Sequence, residues 1–285
     1  MKRFLIILML SVLCSLRAGA QWFQVTVPPE FSNAFFLGVS FVDENTGMVC
    51  GDSGKVLKTT NGGLNWTRLN TPNWWIWDIQ MINFDTVYCV PYFLKTANGG
   101  LNWTFINNAQ CLASVYNISF INSKTGYVSG GIGGGLLKTS NAGENWIVPY
   151  CGWPPYDEFN DVYAVNELVA YAGAKDDNYT KLLRSTNGGY NWGFNFAGSG
   201  NILGMHFLTD SSGIWVTNDG YIERTTNAGL SSWLTVAPQG LTDVQFTSDT
   251  MIVVAVGNNG SIFRSPNSGF NWEQQYTPVT NTELK

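Results

Sequence analysis

Asp78, Asp161 and Asp243 stand at one place in alternate copies of a repeated segment. Three carboxyls brought to the mouth of a channel could hold a cation or water. Each could equally cap the backbone of its own loop. His206 lies two places further along the same segment of another copy. It is the single histidine of the chain, too few for a His-rich metal site. No metal and no cofactor are expected.

A second group is aromatic. Asn73-Trp74-Trp75-Ile76-Trp77 and Pro149-Tyr150-Cys151-Gly152-Trp153-Pro154-Pro155-Tyr156 concentrate rings between repeats. Rings exposed near a concave mouth suit a peptide or a sugar. Rings folded under their own loops would be packing alone. Trp74, Trp75, Trp77, Tyr150, Trp153 and Tyr156 are therefore candidate binding residues. Cys111 and Cys151 occupy successive linkers on one side, so an exported chain could pair them as a disulfide. Cys50 and Cys89 read as small buried hydrophobes in matching places.

Several chemistries are disfavoured. The chain has no Gly-x-Ser-x-Gly elbow, P-loop or His-Glu-x-x-His helix. Gly130-Gly131-Ile132-Gly133-Gly134-Gly135 lacks the following helix of a phosphate loop and reads as a hairpin loop. Beyond residue 20 there are 12 basic against 20 acidic residues, the wrong sign for nucleic acid.

These residues must be positioned by a repeat. Its turns are Asn61-x-Gly63-x-x-Trp66, Asn98-x-Gly100-x-x-Trp103, Asn141-x-Gly143-x-x-Trp146 and Asn187-x-Gly189-x-x-Trp192. The fifth, Asn227-x-Gly229 to Trp233, carries one extra residue, and Asn267-x-Gly269-x-x-Trp272 is the sixth. The Trp-to-Trp steps are 37, 43, 46, 41 and 39 residues, the length of a four-stranded propeller blade. The Asn side chain can bond its own turn, the Gly can take positive φ, and the Trp can bury a ring between blades. Lys58, Lys95, Lys138, Arg184, Arg224 and Arg264 precede the six turns at a fixed offset, which reads as scaffold.

In the last copy, Thr242–Phe246, Thr250–Val256, Ser261–Ser265 and Asn271–Tyr276 read as strands a to d. Aligning strand a gives the first column Gly38, Asp78, Asn117, Asp161, Gly204 and Asp243. Two places on stand Ser40, Gln80, Ser119, Tyr163, His206 and Gln245, with apolar residues between. The expected fold is all-β, a single propeller of six four-stranded blades. The alternative is seven blades, one incomplete or shared. Gln21–Val27 reads as a further strand d, with Trp22 in the motif position.

The turns resemble the Asp-box, or BNR, repeat, with Asn where Asp is usual. Leu57-Lys58-Thr59-Thr60-Asn61-Gly62-Gly63-Leu64-Asn65-Trp66 is most similar to repeats of the photosystem II stability and assembly factor family. The likeness covers nearly all of residues 35–277. It implies a non-catalytic, protein-binding or assembly-factor-like propeller. That family is generally seven-bladed, and six complete units here are a departure. Sialidases of similar fold use three arginines on a carboxylate. Arg184, Arg224 and Arg264 fall instead at the scaffold position, and no triad is left. An inverting glycosidase would need a carboxyl pair such as two of Asp78, Asp161 and Asp243. A glycan-binding lectin is the main alternative to a protein or peptide binder.

Residues 1–20 read as a signal peptide: Lys2-Arg3, an apolar run Phe4–Leu13, then Ala18-Gly19-Ala20. Residues 21–277 form the propeller domain and 278–285 a C-terminal tail. Secretion, or a periplasmic or cell-surface site, follows. No membrane span and a monomer are expected.

Overall fold

The computed structural model describes residue 25 and residues 27–106, 114–131, 135–151, 158–175, 180–198, 200–236, 240–258 and 261–275. They form six four-stranded antiparallel sheets, each a consecutive stretch of chain, in a six-bladed propeller. Blade one is β1 (Phe36–Phe41), β2 (Gly47–Gly51), β3 (Val56–Thr59) and β4 (Thr67–Arg68). Blade two is β5 (Asp78–Met81), β6 (Val87–Val90), β7 (Leu94–Thr96) and β8 (Thr104–Phe105). Blade three is β9 (Val115–Phe120), β10 (Gly126–Gly130), β11 (Gly135–Thr139) and β12 (Ile147–Cys151). Blade four is β13 (Glu158–Ala164), β14 (Ala170–Lys175), β15 (Thr180–Ser185) and β16 (Gly193–Gly198). Blade five is β17 (Ile202–Phe207), β18 (Gly213–Thr217), β19 (Tyr221–Thr225) and β20 (Trp233–Val236). Blade six is β21 (Leu241–Phe246), β22 (Val253–Gly257), β23 (Ser261–Ser265) and β24 (Glu273–Gln275).

The apolar pattern explains the stacking. Second strands such as Val87–Val90 and Gly126–Gly130 are buried at every residue, because a neighbouring blade covers each face. The core is accordingly divided among junctions. Met48, Cys50 and Val56 of blade one meet Ile79, Met81 and Val87 of blade two. Comparable clusters join blades two and three, three and four, four and five, and five and six. Each large apolar side chain buried in this way contributes about 1.5–3 kcal/mol.

The turns close as their residues dictate. Thr59 Oγ1 accepts the Asn61 and Gly63 N–H groups at 3.3 and 2.9 Å, and Asn61 Oδ1 accepts the Asn65 N–H at 2.9 Å. The same network recurs at Thr139, Ser185 and Ser265. The motif glycine is left-handed in all six turns, with φ from 80° to 93°. The residue before it is left-handed as well, including Ala142, Ala228 and Ser268 at φ 57–65°. Trp103, Trp146, Trp192 and Trp272 pack into the junction with the preceding blade. Trp233 is 52% exposed. The expected extra residue is not in the turn, which closes like the others with Asn227 Oδ1 accepting the Ser231 N–H: Ser232 takes the tryptophan place, and Trp233 pairs with Arg224 as Thr67 does with Lys58.

The basic residues are staples. Lys58 Nζ donates to the Gly99 carbonyl at 3.2 Å, Lys95 Nζ to Ala142 at 3.1 Å and Lys138 Nζ to Gly188 at 2.5 Å. Arg224 Nε donates to the Ser268 carbonyl at 2.7 Å, and Arg184 reaches the Asp210 carbonyl at 3.2 Å. Each tie runs to a turn of the next blade.

Two expectations need correction. The second strand of blade six spans Val253–Gly257 rather than Thr250–Val256, because Asp249–Ile252 closes a turn first. Cys50 and Cys89 are not in matching places: Cys50 pairs with Gly38, whereas Cys89 pairs with Ile79, one step out of phase. Alternation therefore points them to opposite faces of their own blades, and both enter the core between blades one and two.

Candidate functional site

The first strands of the six blades stand around a central channel with their inner edges unpaired by any other strand. Side chains of the first column satisfy those edges. Asp78 Oδ2 accepts the Ile118 N–H of the next blade at 3.1 Å, and Asp161 Oδ2 accepts the Met205 N–H at 2.7 Å. Asn117 Oδ1 takes the Val162 N–H at 3.4 Å. The third column does the same one step deeper. Ser40 serves Met81, Gln80 serves Phe120 and Ser119 serves Ala164, at 3.0, 2.6 and 3.0 Å.

The glycines of the column explain two of the aspartates. Gly38 and Gly204 have no side chain to offer the following blade. There the next aspartate caps its own strand instead: Asp78 Oδ1 accepts the Ile79 N–H at 2.8 Å and Asp243 Oδ1 the Val244 N–H at 2.7 Å. The carboxyls thus work on the backbone of the channel wall, within a blade and between blades.

Their electrostatics follow from place. Burial pushes the Asp78 carboxyl up to about 7, against the pull of the Ile118 and Ile79 N–H groups, with Asp243 adding repulsion. Asp161, 5% exposed, is pushed well above the usual range by burial, then by Asp243 and Asp78. Asp243 opens onto the channel, yet the protein around it displaces enough water to raise it to about 6. Near neutral pH the wall therefore carries fewer than three negative charges. His206 is held down to about 4 by burial and is neutral. Its Nε2 lies 3.1 Å from the Tyr163 hydroxyl, while Nδ1 has no partner among the described residues. No group of three or more His, Cys, Asp or Glu converges to hold a metal among the described residues.

This wall lines a cavity of about 790 Å³, which reaches down past Val39, Ser40, Gln80, Ser119 and Tyr163. Its rim is one residue upstream of the aspartate column: Leu37, Trp77, Tyr116, Asn160, Leu203 and Thr242. Trp75, half exposed, and Asn258 add to it. Trp77 stacks on Tyr116 with centroids 5.1 Å apart and planes at 29°. Asp78, Asp161 and Asp243 stand below the rim. The opening is on the side of the loops that join blades, opposite the Asn-Gly turns.

The aromatic candidates divide. Trp75 and Trp77 line the cavity. Trp74 turns away and packs on Tyr92 and Phe105 of blade two, at 4.6 and 5.1 Å. Tyr150 lies in β12 opposite Leu136. Trp153 and Tyr156 lie outside the described residues. So does Cys111, and with it the expected Cys111–Cys151 pair; Cys151 ends β12 opposite Gly135. His206 is not part of the cavity lining; it sits below, against Tyr163. Sequence reasoning missed Tyr116, Asn160 and Leu203, although one step back along the aligned column reaches all three.

A family model described as photosynthesis system II assembly factor YCF48 matches residues 14–148. No curated protein matches the chain. Among solved structures, "YCF48 bound to D1 peptide" superposes with a TM-score of 0.71 at 18% identity, covering 92% of this chain and 89% of the other. YCF48 from Cyanidioschyzon merolae gives 0.69 at 19% identity, with 92% and 90% covered. A chain of the nidogen/laminin complex gives 0.63 at 14% identity, with 84% and 96% covered. The protein is a BNR-type propeller resembling the photosystem II assembly factors.

Proposed function

We propose that this chain is an exported, non-catalytic scaffold that binds a polypeptide segment of a partner protein at the aromatic rim of its channel. The carrying observation is the Trp77–Tyr116 stack, with Trp75 beside it, over a cavity of about 790 Å³. Flat apolar faces with adjacent amide and carboxyl groups suit an extended peptide, whose backbone needs both donors and acceptors. The carboxyls bond to backbone N–H groups of the wall, which favours a scaffold over acid–base chemistry. One similar propeller, YCF48, is bound to a D1 peptide, which makes that peptide the first probe for this chain.

Titration of the full chain with the D1 peptide, followed by tryptophan fluorescence, tests this reading. Saturable binding weakened at least about tenfold by Trp77→Ala is expected, since truncating an aromatic anchor costs about 2 kcal/mol or more. Glycan-array binding lost in Trp75→Ala would replace the peptide by a sugar. Hydrolysis of a β-glucan abolished by Asp161→Asn would make the chain an enzyme. Cell fractionation tests export, and light scattering tests the monomer.

A further inference from the structure

Five of the six blade junctions repeat one design, and the junction between blades six and one does not. The middle apolar residue of the first strand is sealed by the preceding blade at Ile79, Ile118, Val162, Met205 and Val244, all 1–5% exposed. Val39, at the same place in blade one, is 54% exposed, with Phe35 at 68% and Phe41 at 44%. The facing residues of blade six, Val254 and Val256, are half-buried, whereas Ile214 and Val216 of blade five are fully buried. No core cluster among the described residues spans blades six and one.

The polar ties break at the same junction. A side-chain oxygen meets the N–H of Ile79, Ile118, Val162, Met205 and Val244. Among the described residues the Val39 N–H has no such partner: Gly38 has no side chain to cap it, and Asp243 of blade six caps its own Val244. The Arg264 side chain makes no hydrogen bond among the described residues, although those of its counterparts Lys58, Lys95, Lys138, Arg184 and Arg224 all staple to the next blade.

The outer corner of this junction is built like those of the other blades. At the turns of blades two and three, Gly100 and Gly143 abut Leu69 and Ile106, outer-strand residues of the preceding blade. At the turn of blade one, Gly63 abuts Val25 instead. Leu69, Ile106 and Val25 each stand three residues after a tryptophan, at Trp66, Trp103 and Trp22. The outer corner before blade one is thus taken by Val25, and among the described residues nothing covers the inner walls.

We propose that this seam receives an extended β-strand of a partner polypeptide, apolar at alternate residues. The walls specify that chemistry. The wall of blade one offers a backbone donor at Val39 and two exposed apolar side chains on one face, Val39 and Phe41, at the two-residue spacing of a strand. The wall of blade six offers acceptors, Asp243 and Gln245, both exposed. A strand carries C=O groups for the Val39 N–H and N–H groups for the carboxylate, with side chains at the same period. Neither a glycan nor a nucleic acid combines these. The proposal shares its class of ligand with the rim reading. Val39 and Asp243 also line the rim cavity, so the two sites adjoin; Phe41, which lies outside that lining, tells them apart.

Residue-resolved amide hydrogen exchange on the full chain tests it. In the free protein, the Val39 amide exchanges at least about 100-fold faster than those of Ile118 and Val162. A ten-residue synthetic peptide alternating valine and threonine, with glutamate ends, protects Val39 at least tenfold. Phe41→Glu, outside the cavity lining, abolishes that protection and leaves Trp77-dependent binding at the rim unchanged. A Val39 amide already protected in the free chain would show that the chain closes its own seam and would overturn the proposal. So would a probe that leaves Val39 unprotected, or protection that survives Phe41→Glu.

Discussion

A methyl group on Gly204 would lie 2.6 Å from Asp243 Oδ1 and 2.8 Å from Asp243 Cα. The two residues are complementary. The missing side chain in blade five leaves the room into which the blade-six carboxyl folds back on its own Val244 N–H. Gly204→Ala should therefore destabilise the protein by about 1–3 kcal/mol, the usual cost of overpacking. Gly193→Ala, with nothing within 4 Å, is the control and should change stability by less than about 0.5 kcal/mol. Urea midpoints at constant m-value measure both.

The motif turns owe their closure to a buried hydroxyl contact. Thr139 Oγ1 accepts the Gly143 and Asn141 N–H groups at 2.9 and 3.2 Å. Thr139→Val keeps the shape and removes the acceptor, leaving the buried Gly143 donor unmet. A loss of about 1–3 kcal/mol is expected. Ala142→Gly acts in the opposite direction, because Ala142 is held at φ 62°. Relief of that left-handed strain should add about 1 kcal/mol.

The carboxyls make stability depend on pH. Folding raises Asp78 from 3.8 to about 7 and Asp243 from 3.8 to about 6. The folded state then holds protons that the unfolded chain releases. This contribution is complete below about pH 4 and is lost as pH rises through 6 to 7. His206, lowered from 6.5 to about 4, acts oppositely: its contribution is present above 6.5 and lost as pH falls toward 4. Above pH 6.5 only the carboxyls act, so stability should decline from pH 6.5 to 8. Asp161→Asn removes a charge raised by burial and by both neighbours, and should flatten the decline. Parallel pH curves for the two proteins would refute the assignment.

Cys50 and Cys89 are fully buried in one core, and burial raises both thiols well above their ordinary range. Alkylation at these two positions, read by peptide mapping, should be negligible in the native protein. It should appear at the rate of global unfolding in urea.

Much of this protein was legible in its sequence, because a turn is a local object. The spacing of Thr59, Asn61, Gly63 and Trp66 carries every group that its hydrogen bonds use. Six such turns at blade-length spacing leave few folds other than a propeller, and alternation along strand a located the aspartate column. The phase error at Cys50 and Cys89 had a local cause too. Gly38 to Phe41 pair in regular register with Cys50 to Gly47, so Cys50, four residues after Thr46, matches Val90, four after Thr86, and aligning the two cysteines by residue type overlooks that count.

The sequence by itself determined the blades, the turns and the side on which the linkers gather, since each depends on contacts within about forty residues. Only the tertiary structure decided what the aspartates touch, which rings face the cavity and how the ends of the ring meet. Asp78 bonds Ile118, 40 residues on, and Trp74 turns onto Phe105 while Trp77 turns onto Tyr116. Those outcomes depend on how one blade packs against the next. The exposed Val39 has the same local sequence character as the buried Ile79, and only the presence or absence of a neighbouring blade separates them.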